Sequence, residues 1–498
     1  MKNKEQHDDY THILKSTSVF GGVQGLSIAI SLLRNKLVAL LLGPEGMGLV
    51  SLFNSTIKLV SDSTNLGIAV SAVKNISSDY ESEDKLRLEH DIAITRSWAI
   101  LTALIGMLLC IIFSRTLSLF TFGCDDHTLD FILLSPIVAL TSFTGGELAI
   151  LKGTRRLRGL AIASLANMVC ALVFTTPIYY LWRQAAIVPS LIIVSVSQMV
   201  LTIWFSLKAF PLNYKRLLNN VRSLLSDGKP MIRIGIAFVL AGMLGSGADY
   251  LIRTFLNTHG SLSEVGLFNA GFVMTMTYAG MVFSAMETDY FPRLSACFND
   301  STRRIQTVNR QIEVSLLIIS PMLILFSMSL PLLLPLLFST KFLPITGMVQ
   351  VMVLAMYMRA IKLPIAYMPL AKGDSKTFLL MESIYDILMV IAVVVCYEDF
   401  GLLGTGIAIT IMSVIDFIMQ WICMRIRYGF RISRQALVYM AVHLTIAIAT
   451  YTVTFTLQGV PYLIAGATLF IIGTASSIYF MKDKTTVISS IKKRFRRN

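Results

Sequence analysis

The stretch "ISLLRNKLVALLLGPEGMG" (residues 30–48) decides how the chain is read. An apolar run holding two cations, Arg34 and Lys36, ends in the turn "GPEG" (43–46), and a second apolar run starts at once. Gly43 offers backbone freedom at the break, and Pro44 lacks the N–H that a continuing helix needs. The segment predicts two long helices joined by a tight turn. Each is long enough to cross the hydrocarbon core, which takes about 20 apolar residues. A cation at the centre of such a helix costs about 2.5–3.5 kcal/mol on insertion scales. Two retained cations point to a polar interior on one side of the helix.

Working outward, the same pattern fills the chain. Of 498 residues, 55% are hydrophobic and only 14% charged, with a mean hydropathy of +0.69. Soluble domains carry about 25% charged residues. Fourteen apolar segments are expected: 17–42, 46–74, 92–113, 129–152, 159–182, 187–208, 232–256, 265–290, 311–338, 346–370, 377–397, 401–424, 435–456 and 460–481. They are continuous rather than alternating, which excludes a membrane β-barrel pattern. The opening run reads as a retained first helix, because it is too long for a leader and no small-residue cleavage pattern follows it.

The net charge of +14 invites a nucleic-acid reading, but its distribution argues for topology instead. Connections on one side, with the helix ends that flank them, carry 33 of the 43 Lys and Arg; the opposite connections carry 3, and the remaining 7 lie inside segments. Under the positive-inside rule both termini are cytoplasmic, and no nucleic acid is needed to explain the charge. The longest connections are "NISSDYESEDKLRLEHD" (75–91) and "PLNYKRLLNNVRSLLSDGK" (211–229). The tail "VISSIKKRFRRN" sets Ile488, Ile491 and Phe495 on one helical face and basic residues on the other. It reads either as an interfacial helix on an anionic leaflet or as a solvated basic tail.

The chain also repeats itself. "EGMGLVSLFN" (45–54) matches "SEVGLFNAGF" (263–272) through Gly48 and Gly266, and "LKGTRR" (151–156) matches "AKGDSK" (371–376) through Lys152 and Lys372. The offsets, 218 and 220, agree, so the repeat unit is six helices. The fold expected is an all-α polytopic membrane protein of two pseudo-symmetric six-helix lobes plus two C-terminal helices. Its divisions are an N-lobe (1–208), a basic linker (209–231), a C-lobe (232–424), helices 13–14 (435–481) and a basic tail (482–498). Such repeats are typical of alternating-access transporters. The Lys–Gly pairs themselves read as helix C-caps and serve as repeat markers.

Candidate site residues follow from charge placed in lipid-crossing segments. The cations are Arg34, Lys36, Lys58, Arg96, Arg253, Arg359 and Lys362. Arg96 lies near a cytoplasmic end and is expected to snorkel. Arg34 and Arg253 fall at nearly matching places in the repeat, and the cations come from both halves, as a cavity between lobes requires. Lys58 with Asp62, and Arg253 with Asp249, are four apart and can pair along their own helices. Arg34 and Lys36 point in opposite directions, so Arg34 is the better cavity residue. Arg359 and Lys362 share a face and have no acid within four residues, which reads as an anion site suited to phosphate. Among acids, Glu287 and Asp289 suit a cytoplasmic gate. Glu382 and Asp386 suit either a coupling proton or sodium, or simple neutralisation of Arg359 and Lys362; Glu147 and Asp416 also lie inside segments. His443 reads as a satisfied packing histidine. Glycines Gly21, Gly22 and Gly25, and Gly235, Gly242, Gly245 and Gly247, suggest close packing and bendable helices.

Several classes are excluded or weakened by what is missing. There is no P-loop, no HExxH and no GxSxG, so neither an ATP-driven step nor a bound cofactor is called for. The six cysteines are scattered without a CxxC, which indicates neither a metal site nor a disulfide framework.

The segment "NKLVALLLGPEGMGLVSLFNSTIKLVSDSTNLGIAVSAVKNIS" resembles the start of Wzx-type O-antigen translocases of the multidrug/oligosaccharidyl-lipid/polysaccharide exporter superfamily. The "LGPEGxG" turn is the most specific element, and "LKGTRRLRGLA" is a weaker second one. The resemblance is visible mainly over residues 17–160, and repeat and topology extend it to about residue 424. It implies a flippase, not an enzyme, with a cationic cavity for an undecaprenyl-pyrophosphate-linked oligosaccharide, in a bacterial inner membrane. The cavity cations it implies are Arg34, Lys58, Arg253 and Arg359, with Lys36 and Lys362 less firmly placed. A polysaccharide polymerase and a chain-length regulator are the partners such a system implies. Fourteen segments rather than twelve is similar to the related lipid II flippase. Alternatives are a multidrug/cation antiporter of the same superfamily, a membrane glycan polymerase or acyltransferase, and a non-transporting scaffold. A cation exporter would line its cavity with acids, and a polymerase would need large outer loops, which this chain lacks.

Overall fold

The computed structural model describes the backbone of residues 2–211 and 221–482, and every element among them is helical. In chain order the helices are α1 (Lys2–Thr64), α2 (Ile68–Glu81), α3 (Lys85–Ile112), α4 (Ser114–Phe122), α5 (Thr128–Gly153), α6 (Leu157–Trp182) and α7 (Ile187–Ala209). There follow α8 (Val221–Asp227), α9 (Lys229–His259), α10 (Leu262–Phe272), α11 (Met281–Ala296), α12 (Ser301–Leu337), α13 (Thr346–Lys372), α14 (Ser375–Tyr428), α15 (Arg434–Thr456) and α16 (Gly459–Lys482). The basic-tail expectation falls on residues outside the described set, as does most of the 209–220 connection.

Ten helical stretches among the described residues are long and apolar enough to cross a membrane. Two of the longest are broken at glycine. The α1 backbone breaks at Gly43 (φ 66, ψ −171), immediately before Pro44, and α14 breaks at Gly401 (φ 56, ψ −140). Only glycine takes such angles without steric cost, so the breaks are written into the sequence. The "GPEG" turn is therefore present as read. Along the spans large apolar side chains face outward, Trp204, Leu332, Ile426 and Leu463 among them. Hydrocarbon accommodates that surface, whereas water would not.

The chain divides into two compact units. The first holds residues 1–266 with 337–339, and the second holds 267–336 with 340–498. The division falls one helix later than the 209–231 linker, because α9 packs on α1, α2 and α4. In the first unit α5 packs against α3, α7 and α2, and α6 pairs with α7. In the second, α13 is the central helix, packed on α14, α11 and α15, and α15 carries α16.

Two connections differ from the sequence reading. Residues 75–91, expected as a loop, are a helix hairpin: α2 runs to Glu81, and α3 starts at Lys85 behind an Asp84 cap that accepts from the Arg87 amide. Ile76, Leu88 and Ile92 bury an apolar face there with Ala149, Ile150 and Leu224, so the charge-rich stretch is amphipathic rather than unstructured. The connection after segment 3 likewise folds into α4.

Candidate functional site

The first unit disposes of its cations in different ways. Arg253 on α9 is almost fully buried: it ion-pairs with Asp249 one turn back, donates from Nη1 to the Asp249 carbonyl (3.1 Å) and from Nε to Ser51 Oγ (2.7 Å). The intrahelical pair read from the i,i+4 spacing is thus present, and the third contact ties α9 to α1. Lys58 is exposed on α1, with Asp62 one turn on lying in its field and against Ser246 of α9. Arg34 and Lys36 are half-buried. Arg34 Nε is buried with no hydrogen-bond partner among the described residues, and its charge reaches the Tyr179 hydroxyl, which shares a 2.5 Å hydrogen bond with Ser190.

Arg96 does not snorkel. Its side chain is 3% exposed and forms a two-point pair with Glu147 of α5, Nε to Oε1 at 2.7 Å and Nη2 to Oε2 at 3.1 Å. Nη2 also donates to the Phe210 carbonyl (3.1 Å), and Ser206 of α7 donates to the same carboxylate. A guanidinium with a carboxylate on a neighbouring helix gains more by pairing inside than by reaching for the interface.

The second unit gathers the remaining charges on α13 and α14. Arg359 meets no carboxylate among the described residues. Its guanidinium rests against Met276 Sδ (3.6 Å) and over the Phe283 ring (5.5 Å to the centroid). Met276 belongs to a π-helical stretch, Val273–Ala279, that interrupts the helix between α10 and α11. Such stretches in mid-helix recur at functional sites. Thioether and ring contacts cradle a cation without neutralising it.

Lys362, one turn on, is not unpaired as its local sequence suggests. It forms an ion pair with Asp416 in the second half of α14 and lies 5.2 Å from the Tyr385 ring centroid. Glu382 and Asp386 are half-buried, and Lys362 and Asp416 act on both electrostatically. The structure therefore brings Lys362, Glu382, Asp386 and Asp416 together. Asp416 was placed by sequence only as one acid among several, because its partner lies 54 residues away. One signal for it existed. Asn167 and Ser197 lie 219 residues before Asp386 and Asp416, between the two repeat offsets of 218 and 220, and those two are hydrogen-bonded at 2.7 Å in the first unit.

Of the two expected gate acids, one side chain is described. Asp289 is exposed and pairs with Arg293 one turn on at 2.8 Å. The Glu287 side chain lies outside the described residues. His443 is fully buried as expected, but neither ring nitrogen finds a hydrogen-bond partner among the described residues, so it is not satisfied.

Comparison with known proteins bears on the family and the fold. Residues 13–298 match the family model described as polysaccharide biosynthesis protein. No curated protein matches. Among solved structures, an inward-facing multidrug resistance MATE family transporter of the MOP superfamily aligns with a TM-score of 0.67 at 18% identity, covering 81% of this chain and 94% of its own. The lipid II flippase MurJ, in an inward closed conformation, gives 0.64 at 12% identity, covering 93% and 99%. A MOP superfamily transporter from Pyrococcus furiosus, for which reverse polarity of the binding pocket suggests a different function, gives 0.55 at 15% identity, covering 81% and 93%. At these identities the likeness is one of fold. With more than half its length matched by the family model, the chain belongs to the polysaccharide biosynthesis protein family and carries the fold of MOP-superfamily transporters.

Proposed function

We propose that the protein is a flippase that moves an undecaprenyl-pyrophosphate-linked oligosaccharide, such as an O-antigen unit, from the cytoplasmic to the outer leaflet of a bacterial inner membrane. Both termini are cytoplasmic in this reading, and transport proceeds by alternating access with ion coupling. The observation that carries it is Arg359, a cation within a membrane-crossing helix, cradled by Met276 and Phe283 and facing no carboxylate among the described residues. A cation left unneutralised in lipid is costly unless an anion visits it. The diphosphate of a lipid-linked glycan is such an anion, and an arginine beside a lysine one turn away fits it. The half-buried Arg34, whose Nε has no partner among the described residues, supports the same reading in the first unit. Lys58, Arg253 and Lys36 are secondary candidates, since Arg253 is already ion-paired. The family match supports glycan chemistry. Glu382, Asp386 and Asp416 are the coupling candidates; Asp249 is ion-paired with Arg253, and Asp62 lies in the field of Lys58. The flipped unit would be handed to a polymerase and its chain-length regulator.

The test is surface polymer in cells whose only copy carries Arg359→Gln and Lys362→Gln together. The expected result is loss of surface glycan with normal membrane insertion; normal polymer would overturn the anion-site reading. The carboxylates beside Lys362 favour one second reading, a cation antiporter. Efflux of a cationic dye that survives Arg359→Gln and is lost with Asp386→Asn would support it.

A further inference from the structure

The Lys362–Asp416 pair is lopsided. The lysine side chain is 17% exposed and the aspartate 3%, so the lysine is the more accessible partner. Asp416 spends Oδ2 on Lys362, while Oδ1 is buried with no partner among the described residues. One turn along the same face, Gln420 Oε1 is also buried with no partner among them. Gln420 and Tyr385 are neutral, so neither supplies a counter-charge for Asp416 in place of the lysine. Among the described residues, the other charged or titratable groups in range are Glu382, Asp386 and Tyr385 on α14 and Arg359 on α13. The two acids make the surroundings of Asp416 more negative, and Arg359 is turned toward Met276 and Phe283.

Arg359 and Lys362 are three residues apart on one helical face, a rise of about 4.5 Å. One diphosphate can therefore engage both. We propose that Lys362 is a counter-ion shared between Asp416 and the substrate: a phosphate group bound at Arg359 draws the ammonium away, and Asp416 takes up one proton from solvent in exchange. The balance is simple. Lysine keeps its charge and transfers its ion pair from carboxylate to phosphate, and the buried carboxylate becomes a neutral acid. A carboxylate stripped of its counter-ion in an apolar interior protonates rather than stay charged. This inference rests on the flippase reading and adds that anion binding and proton uptake are linked through one lysine.

The test uses the full-length protein in detergent with farnesyl pyrophosphate as probe and farnesol as the uncharged control. Calorimetric titration at pH 7 in two buffers of different ionisation heat counts the protons taken up. Wild type should take up one more proton per pyrophosphate bound than Asp416→Asn, and its affinity should fall about tenfold per pH unit above neutrality in excess of any change in that variant. Asp416→Asn should bind at least as tightly, and Lys362→Arg, which preserves the charge and guards against misfolding, should retain the uptake. Equal proton uptake in wild type and Asp416→Asn, or full uptake in Lys362→Gln, would overturn the linkage while leaving the flippase reading intact. Failure of wild type to bind the pyrophosphate in preference to farnesol would overturn the anion site itself, and the linkage with it.

Discussion

Gly48 and Gly266, the two glycines that mark the repeat, lie against each other. A methyl group on Gly266 would sit 1.9 Å from the Pro44 carbonyl oxygen and 2.8 Å from the Gly48 nitrogen; one on Gly48 would sit 2.0 Å from the Leu262 carbonyl oxygen. The "GPEGMG" turn thus meets the start of α10 backbone to backbone, within the first unit. Small residues permit such approach between membrane helices, where packing rather than water exclusion drives association.

Gly48→Ala and Gly266→Ala are therefore expected to destabilise the protein by at least the ~1–3 kcal/mol typical of overpacking, since the obstacle is backbone and cannot rotate away. The double variant should cost less than the two single effects combined, because one widening serves both. Gly347→Ala is the control: its nearest neighbour would be Leu403 Cδ1 at 3.7 Å, an ordinary contact. Thermal unfolding in detergent reads all four.

A second relation follows the same offset. Arg183 (φ 48, ψ −123) and Gly401 (φ 56, ψ −140) share a backbone conformation at equivalent places in the two halves, each ending one helix and starting the next. Glycine adopts it freely, whereas arginine is strained there. Arg183→Gly should stabilise the protein, by about 1 kcal/mol, and Gly401→Arg should destabilise it by at least as much. A lower melting temperature for Arg183→Gly would refute the strain argument.

The Arg96–Glu147 pair predicts an asymmetry between breaking and replacing. Arg96→Ala leaves the carboxylate buried with only Ser206 as donor, and loss of one partner of a buried pair costs about 3–5 kcal/mol. Arg96→Met with Glu147→Leu removes both charges and should recover most of that loss. A double variant no more stable than Arg96→Ala would show that the Ser206 and Phe210 contacts, rather than the ion pair, hold α3 to α5 and α7.

What the sequence discloses about this chain follows from the range of each signal. Helix breaks at Gly43 and Gly401 are local and are plain in "LGPEG" and "EDFGLLG". Asp249–Arg253 is four residues apart and was readable from spacing alone. Arg96–Glu147 and Lys362–Asp416 join residues 51 and 54 positions apart on different helices, and helical spacing carries no information at that range. For the same reason Arg96 looked like an interfacial residue and Lys362 looked unpaired. The repeat is the exception. It carries long-range information, and the polar match of Asn167 and Ser197 to Asp386 and Asp416 shows where it reached the site.

Asp374, which caps α14 from outside the helix, anchors a polar latch between the two ends of that helix. Its carboxylate accepts from the Tyr428 hydroxyl (2.7 Å), Thr377 Oγ1 (2.8 Å), Arg427 Nε (2.9 Å) and the Thr377 amide (3.2 Å). These donors, the Tyr428 hydroxyl foremost, hold its pKa well below the usual carboxylate range. A depressed folded-state pKa stabilises the protein at pH values above the unfolded pKa of about 3.9, and the stabilisation fades only as pH falls toward the lower folded value. The stability difference between wild type and Asp374→Ala, expected at about 1–2 kcal/mol from the lost cap, should thus stay flat from pH 8 to pH 5. Asp374→Asn should lie between the two, since an amide still caps the helix but cannot pair with Arg427. A difference that shrinks between pH 8 and pH 6 would mean that another group, and not Asp374, controls the latch.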